Sequence, residues 1–225
     1  MSHAVSNAEV PVIANDGPGG AGKGTLSARL AERLGWNFLD SGALYRLTAL
    51  AVMKNDVPLD DEVALGAAAA GLDICFETSR SGVKALLDGE DVSDRLRREE
   101  TGVLASKIAA TPAVRAALIK RQRQFRRLPG LIADGRDMGT VIFPDAYLKI
   151  FLTASAEIRT QRRHKQLKEK GESVNLSRLF REIKARDLRD QSRSIAPLRP
   201  AEDAVIIDST DLSIEEVFEE VINMI

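Results

Sequence analysis

The chain has 225 residues, enough for one good core and at most two modest lobes. Its 32 Lys/Arg against 33 Asp/Glu leave a net charge of −1, which gives no global field for gripping nucleic acid or an anionic membrane. The single cysteine, Cys75, excludes an intrachain disulfide and a multi-cysteine metal site, and it is expected as a small core residue.

Aromatics are only 4% of the chain, which weakens any reading based on base-stacking platforms. No segment approaches the ~18 consecutive apolar residues of a membrane span. Residues 1–10 have neither a basic start nor an apolar run, so no signal peptide is expected and a cytoplasmic location is the default. Residues 1–9 are small and polar and are expected to form a poorly ordered tail.

Val10–Ala14 reads as a short apolar strand, followed by a glycine cluster and then Leu26, Leu30 and Leu34 at helical spacing, stopped by Gly35. Trp36–Asp40 reads as a second strand. Gly42–Lys54 reads as a helix with Leu44, Leu47, Leu50 and Ala51 inward. Asp60–Ala70 is a third helix, opened by acids that suit its N-terminus. Leu72–Thr78 and Val83–Leu87 are strand-like around turn residues 79–82, so residues about 71–95 form a small antiparallel insert.

Arg97–Arg127 is helical with a break near Thr111-Pro112. Leu131–Asp134, Leu148–Leu152 and Ala204–Asp208 read as further strands, and Ser213-Ile-Glu-Glu216 is a capping box. Ser155–Lys170 and Leu176–Ser192 form a charged helical pair. Residues 155–193 hold 12 Lys/Arg against 6 Asp/Glu, a local charge of +6 in a chain whose remainder carries −7. Such a segment needs an anion or a solvated face to explain it. Strands that are apolar without alternation, separated by helices, predict a parallel sheet covered on both faces in one domain over residues 10–225.

Gly17-Pro18-Gly19-Gly20-Ala21-Gly22-Lys23-Gly24-Thr25 fits G-x-x-x-x-G-K between a strand and a helix. Such a loop turns backbone N–H groups onto phosphate oxygens, and the helix N-terminus adds its positive dipole. Lys23 would reach the outer phosphates. Gly24 stands where Ser or Thr is usual and the hydroxyl comes one place later, so Thr25 would meet Mg²⁺ either directly or through water.

The loop predicts a nucleoside triphosphate but not its fate. A phosphotransferase with a small acceptor competes with a GTPase-type switch. No Asn-Lys pair for guanine recognition occurs, and the strand at Ala133-Asp134-Gly135 lacks the Asp-Glu ending of a motor ATPase; both absences favour the phosphotransferase. Asp40–Arg46, Asp134–Gly139 and Arg186–Arg193 carry Arg beside Ser or Asp, the first two at predicted strand ends where α/β ligand crevices form. Arg186, Asp190 and Arg193 share a helix face. Arginine forks of this kind suit a second phosphorylated ligand.

Asp16–Thr25, Asp40-Ser-Gly-Ala-Leu-Tyr-Arg46, Leu131–Thr140 and Arg193-Ser-Ile-Ala-Pro-Leu198 together resemble bacterial cytidylate kinases, in order and with compatible spacing from about Pro11 to the C-terminus. The departures are Asn15, where an apolar strand residue is usual, and Gly19, where Ser is common. The resemblance implies the P-loop kinase fold: an α/β fold with a five-stranded parallel sheet, an acceptor insert and a helical lid over about 155–193. It implies transfer of the γ-phosphate of ATP to CMP or dCMP with Mg²⁺, in a monomer. A switch without a small acceptor and a kinase for another nucleoside monophosphate are the alternatives.

By the same resemblance, Ser106, Arg115 and Asp137 would face the cytosine, and Arg46, Arg136 and Arg193 would hold the acceptor phosphate. Arg186 and Asp190 would lie at its sugar and phosphate, with Ser41 and Tyr45 lining the pocket. Lys23, Arg136 and Arg193 would carry catalysis, and Thr25 and Asp134 are the candidate metal contacts through water. No general base is expected, because the acceptor phosphate monoester, with a second pKa near ~6, is already largely a dianion.

Overall fold

The computed structural model describes residues 10–79, 82–169, 171 and 173–225. The expected tail at 1–9 and the centre of the expected turn at 80–81 lie outside the described residues. In chain order the elements are β1 (Val12–Asp16), α1 (Lys23–Leu34), β2 (Asn37–Asp40), α2 (Ser41–Lys54), α3 (Glu62–Ala70), β3 (Ile74–Ser79), β4 (Gly82–Leu87), β5 (Glu90–Asp91) and α4 (Ser93–Arg97). There follow α5 (Glu99–Ile108), α6 (Pro112–Arg123), β6 (Leu131–Asp134), a π-helical turn (Met138–Ile142), β7 (Leu148–Thr153), α7 (Ala156–Glu169), α8 (Leu176–Gln191), β8 (Val205–Asp208) and α9 (Ile214–Ile222). They fall into two compact units, one of residues 10–40 with 123–225, the other Ser41–Gln122.

The first unit is built on a five-stranded sheet of order β2-β6-β1-β7-β8 with every pair parallel. The central strands β1 and β6 are buried at every residue, which is why Val12–Ala14 and Leu131–Ala133 read as apolar runs, while the polar Asn15, Asp16 and Asp134 stand at their carboxyl ends. The edges depart from the expectation of two covered faces. In β8 only Ile207 is buried, and Ile206 is 60% exposed; an edge strand has a neighbour on one side only. Leu26 and Leu30 of α1 and Val217, Phe218 and Val221 of α9 share a core with Ile13, Ile132, Ile150, Leu152 and Ile207 of the sheet. Each such side chain contributes about 1.5–3 kcal/mol on burial.

Local signals set the ends of these helices. Gly35 takes a left-handed conformation and returns its N–H to the Ala31 and Glu32 carbonyls, closing α1. Ser213 and Glu216 form the predicted capping box at α9.

The second unit packs α2, α3, α5 and α6 with the antiparallel sheet β3-β4-β5. Its core includes Leu47, Leu50, Leu65, Leu87, Ile108, Val114 and Leu118. Asp61 caps α3 by accepting the Ala64 N–H, one residue later than the predicted start. Pro112 opens α6, where its missing N–H costs nothing, so the predicted break falls between α5 and α6. Cys75 is exposed, not a core residue. Strand alternation explains the correction: its neighbour Ile74 packs against the core, which turns Cys75 outward.

Candidate active site

The phosphate loop lies between β1 and α1, in the first unit. Gly17 has φ 142, and a Cβ there would stand 2.0 Å from the Leu152 carbonyl oxygen, so only glycine lets the loop leave β1 this close to β7. Gly22 is left-handed and makes no side-chain cap, which leaves the first-turn N–H groups of α1 as a phosphate cradle.

Lys23 is buried. Its Nζ donates to the Pro18 carbonyl at 3.0 Å and lies 3.8 Å from Asp134 Oδ1. Burial, with Arg136 as a second cause, pushes the Lys23 ammonium down to about 8; burial likewise pushes the Asp134 carboxyl up, against the pull of Lys23. Asp134 Oδ2 is 3.5 Å from where a Cβ on Gly24 would stand.

Beside the loop is a cluster of arginines around one acid. Asp190, 1% exposed, accepts from Arg136 Nε at 3.0 Å and from Arg193 Nη2. Burial works to raise its pKa, but Arg136, Arg193 and Arg186 together hold the carboxyl below the usual carboxylate range. Arg136 Nη2 and Arg186 Nη1 lie 3.4 and 3.6 Å from the position of a Cβ on Gly19. Arg136 and Arg186 therefore meet at the phosphate loop, and Asp190 ties Arg136 to Arg193. Arg193 is not on the helix face predicted for it with Arg186 and Asp190: α8 stops at Gln191, and Arg193 turns back to Asp190 from beyond it. Asp137 is buried in the segment that follows Arg136.

The second unit carries Ser41, Tyr45, Arg46, Ser106 and Arg115. Arg115, 3% exposed, donates from Nη1 to the Tyr45 hydroxyl at 3.4 Å. Arg46 Nη1 donates to the carbonyls of Leu96 and Arg98 at 3.0 and 3.1 Å. Gly102 makes room for it: a Cβ there would stand 2.6 Å from Arg46 Nη2. Ser41 donates to Gln122 Oε1 at 2.8 Å, and Ser106 is buried in α5.

Sequence reasoning missed several residues of the first unit. Arg159 of α7 makes a bidentate pair with Asp187 of α8, at 2.9 and 2.6 Å, and also donates to the Gly19 carbonyl at 3.1 Å. Arg162 donates to the Ala21 carbonyl at 3.3 Å and the Ser209 carbonyl at 2.6 Å. Asp16, at the end of β1, accepts from the Met138 and Gly139 N–H groups, both at 2.8 Å. The basic character of residues 155–193 pointed to α7, but nothing in spacing singled out Arg159 within it.

Among the described residues no cluster of three His, Cys, Asp or Glu side chains forms a metal cage. The exposed Thr25 hydroxyl and the Asp134 carboxylate fit a Mg²⁺ held mainly by substrate phosphates and water, which is that ion's usual mode with nucleotides. No single helix among the described residues is long and apolar enough to cross a membrane.

The family model described as cytidylate kinase matches residues 13–225. A cytidylate kinase of Aeromonas salmonicida (strain A449) is 61% identical over 207 residues, covering 92% of this chain and 90% of the relative. Cytidylate kinases of Pseudomonas paraeruginosa (strain DSM 24068 / PA7) and Klebsiella pneumoniae (strain 342) are each 58% identical; the first alignment covers 96% of both chains, the second 94% of this chain and 93% of the relative. With a phosphate loop leading from β1 into α1 and arginines gathered on Asp190 beside it, the chain belongs to the cytidylate kinase family.

Proposed function

We propose that the protein transfers the γ-phosphate of ATP to CMP or dCMP, giving ADP and CDP or dCDP. The observation that carries this reading is the convergence of Arg136 and Arg186 on Gly19 of the phosphate loop, braced with Arg193 by Asp190. A triphosphate on the loop would have guanidinium groups at its outer end, where a second phosphate must approach.

Phosphoryl transfer asks the protein for position and charge neutralisation more than for covalent chemistry. The backbone N–H groups of the phosphate loop, residues 17–25 apart from Pro18, bind the triphosphate. Lys23 neutralises its outer charge, and anionic phosphates there raise the ammonium's pKa and hold it protonated. Arg136 and Arg193 hold the acceptor phosphate and share the charge that develops in transfer. The acceptor needs no general base because its phosphate is already ionised. Mg²⁺, when bound with ATP, supplies further neutralisation of the phosphates, with Thr25 and Asp134 as its protein contacts through water.

On the acceptor side, Ser106, Arg115 and Asp137 face the cytosine, Arg46 joins Arg136 and Arg193 on the acceptor phosphate, Arg186 and Asp190 lie at its sugar and phosphate, and Ser41 and Tyr45 line the pocket. The basic segment 155–193 acts as a lid that excludes water from the transfer, and residues about 71–95 form an acceptor-side insert. The enzyme works as a cytoplasmic monomer.

A coupled ADP-release assay across AMP, CMP, dCMP, UMP and GMP tests the reading. Turnover should be fastest with CMP and dCMP and negligible without acceptor. Equal turnover without acceptor would support the switch alternative instead.

A further inference from the structure

Asp16 has no part in the phosphoryl chemistry described above, yet it is a buried acid with two backbone partners. Its Oδ1 accepts the Met138 N–H and its Oδ2 accepts the Gly139 N–H, each at 2.8 Å, and the residue is 4% exposed. These two amides open the π-helical turn, whose own bonds run back to the Asp137 carbonyl from Val141 and Ile142. The segment just before that turn is Gly135-Arg136-Asp137. Its start is fixed to the same strand, because the Gly135 N–H donates to the Asn15 carbonyl at 3.0 Å. Residues 135–139 are thus tied to the last two residues of β1 at both ends, once through backbone and once through the Asp16 carboxylate.

We propose that Asp16 is a positioning residue for acceptor recognition: by clamping the Met138 and Gly139 amides, it fixes the loop that presents Arg136 and Asp137. The proposal rests on the cytidylate kinase reading above. A carboxylate suits the task because it is acceptor-only and offers one oxygen to each N–H. An asparagine of the same shape offers one oxygen and turns an NH₂ group on the other amide. The site accepts a cost to keep the acid, since burial pushes the Asp16 carboxyl up to about 7 even though both amides favour its charged form. Charge balance comes from the same unit: Lys23 attracts the carboxylate and Asp137 repels it.

The test is Asp16→Asn, with CMP and a non-hydrolysable ATP analogue titrated separately and amide exchange followed by NMR. CMP affinity should fall about 10- to 100-fold, the usual consequence of breaking a charge-assisted bond, while affinity for the ATP analogue changes less than about 3-fold. The Met138 and Gly139 amides should exchange faster, with the helical amides of α1 and α9 unchanged. In a cycle with Asp137→Ala, the two losses in CMP affinity should not add, because Asp16 acts through that loop.

Wild-type CMP affinity in Asp16→Asn, or an equal loss for both nucleotides, would overturn the proposal; the second result would make Asp16 a prop of the phosphate loop. If Asp16→Asn does not fold, Gly139→Ala probes the tether from the other side. A Cβ there would stand 3.1 Å from Lys149 Cδ, tight enough that the side chain must give, and 3.5 Å from Asp16 Oδ2, so the methyl crowds the tether, and the same split between nucleotides is expected. A wild-type protein that did not bind CMP would overturn the cytidylate reading itself, a failure visible before any variant is compared.

Discussion

Lys23 is a cation kept almost out of water, 3.8 Å from Asp134 and 3.0 Å from a carbonyl oxygen. A buried ammonium is held there because its charge matters most when phosphates arrive in the same low-dielectric site. Lys23→Ala should lower kcat by two or more orders of magnitude with unchanged circular dichroism; near-normal turnover would remove it from the chemistry. The same burial sets a pH dependence. With its pKa pushed down to about 8, Lys23 loses its proton in the free enzyme above that pH, so kcat/KM for ATP should fall from about pH 8 upward. Bound triphosphate restores the proton, so kcat should hold to higher pH than kcat/KM. Asp16 acts on stability in the opposite sense. Its folded pKa of about 7 lies above the ordinary 3.8, so the folded state holds a proton that the unfolded chain releases. Its contribution is therefore full below about pH 4 and lost as pH rises through about 7, and pH-dependent urea melts of wild type and Asp16→Asn should differ in that window.

At the scale of elements, β1 carries two polar residues in a fully buried strand, and they serve opposite faces. Asp16 holds the π-helical turn, while Asn15 Nδ2 donates to Ser27 Oγ of α1 at 2.9 Å. Asn15 Oδ1 has no hydrogen-bond partner among the described residues, so the Asn15–Ser27 pair is only partly satisfied. Asn15→Val should cost about 1–2 kcal/mol by stranding the Ser27 hydroxyl, whereas Asn15→Val with Ser27→Ala should be near neutral or stabilising. Denaturant melts of the cycle check this; equal costs for the single and double variants would show that the pair is not coupled. The charged helices α7 and α8 give a second contrast. Arg159–Asp187 joins α7 to α8 almost out of water, with side-chain exposures of 6% and 16%, whereas Arg178–Glu182 lies on the surface of α8. Arg159→Ala should cost about 3 kcal/mol or more, by leaving Asp187 unpaired, and Arg178→Ala no more than about 0.5 kcal/mol. Thermal melts that ranked the two alike would put the Arg159 contact in solvent.

The elements were legible in the sequence where local chemistry decides them. The glycine loop, the stop at Gly35, the break at Pro112 and the Ser213 capping box all stand where composition placed them, because each depends on a few adjacent residues. Arg136, Arg186, Asp190 and Arg193 were legible only as motif members; the approach of Arg136 and Arg186 to Gly19 joins residues more than a hundred positions apart. Arg159–Asp187 and Asp16–Gly139 left no trace in spacing, since 28 and 123 residues separate the partners and only the fold closes them. Cys75 misled because a small apolar residue in a strand reads the same on either face until the register with β4 is known.

For the whole molecule the governing feature is the separation of charge, +6 within residues 155–193 and −7 elsewhere. Both proposed substrates are polyanions, so the basic segment is drawn toward whatever occupies the phosphate loop, and occupancy should drive its closure. Arg193 lies at the end of that segment, just past α8, and is tied to Asp190 without substrate. Asp190 also holds Arg136, so one buried acid stores two guanidinium groups until a stronger anion arrives. A phosphate dianion competing for those groups would gain most once both nucleotides are enclosed, which makes the Arg193 interaction stronger in the transition state than in the ground state. Arg193→Ala should therefore lower kcat by more than it raises KM for CMP, with little change in KM for ATP. Asp190→Asn should weaken both, because it releases Arg136 as well as Arg193. Steady-state kinetics with thermal melts as a control separate this from a surface role, for which removal would cost about 0.5 kcal/mol or less of stability and leave the rate intact. Wild-type kcat and KM in Arg193→Ala would take the arginine out of the reaction and leave residues 155–193 as a solvated charged face.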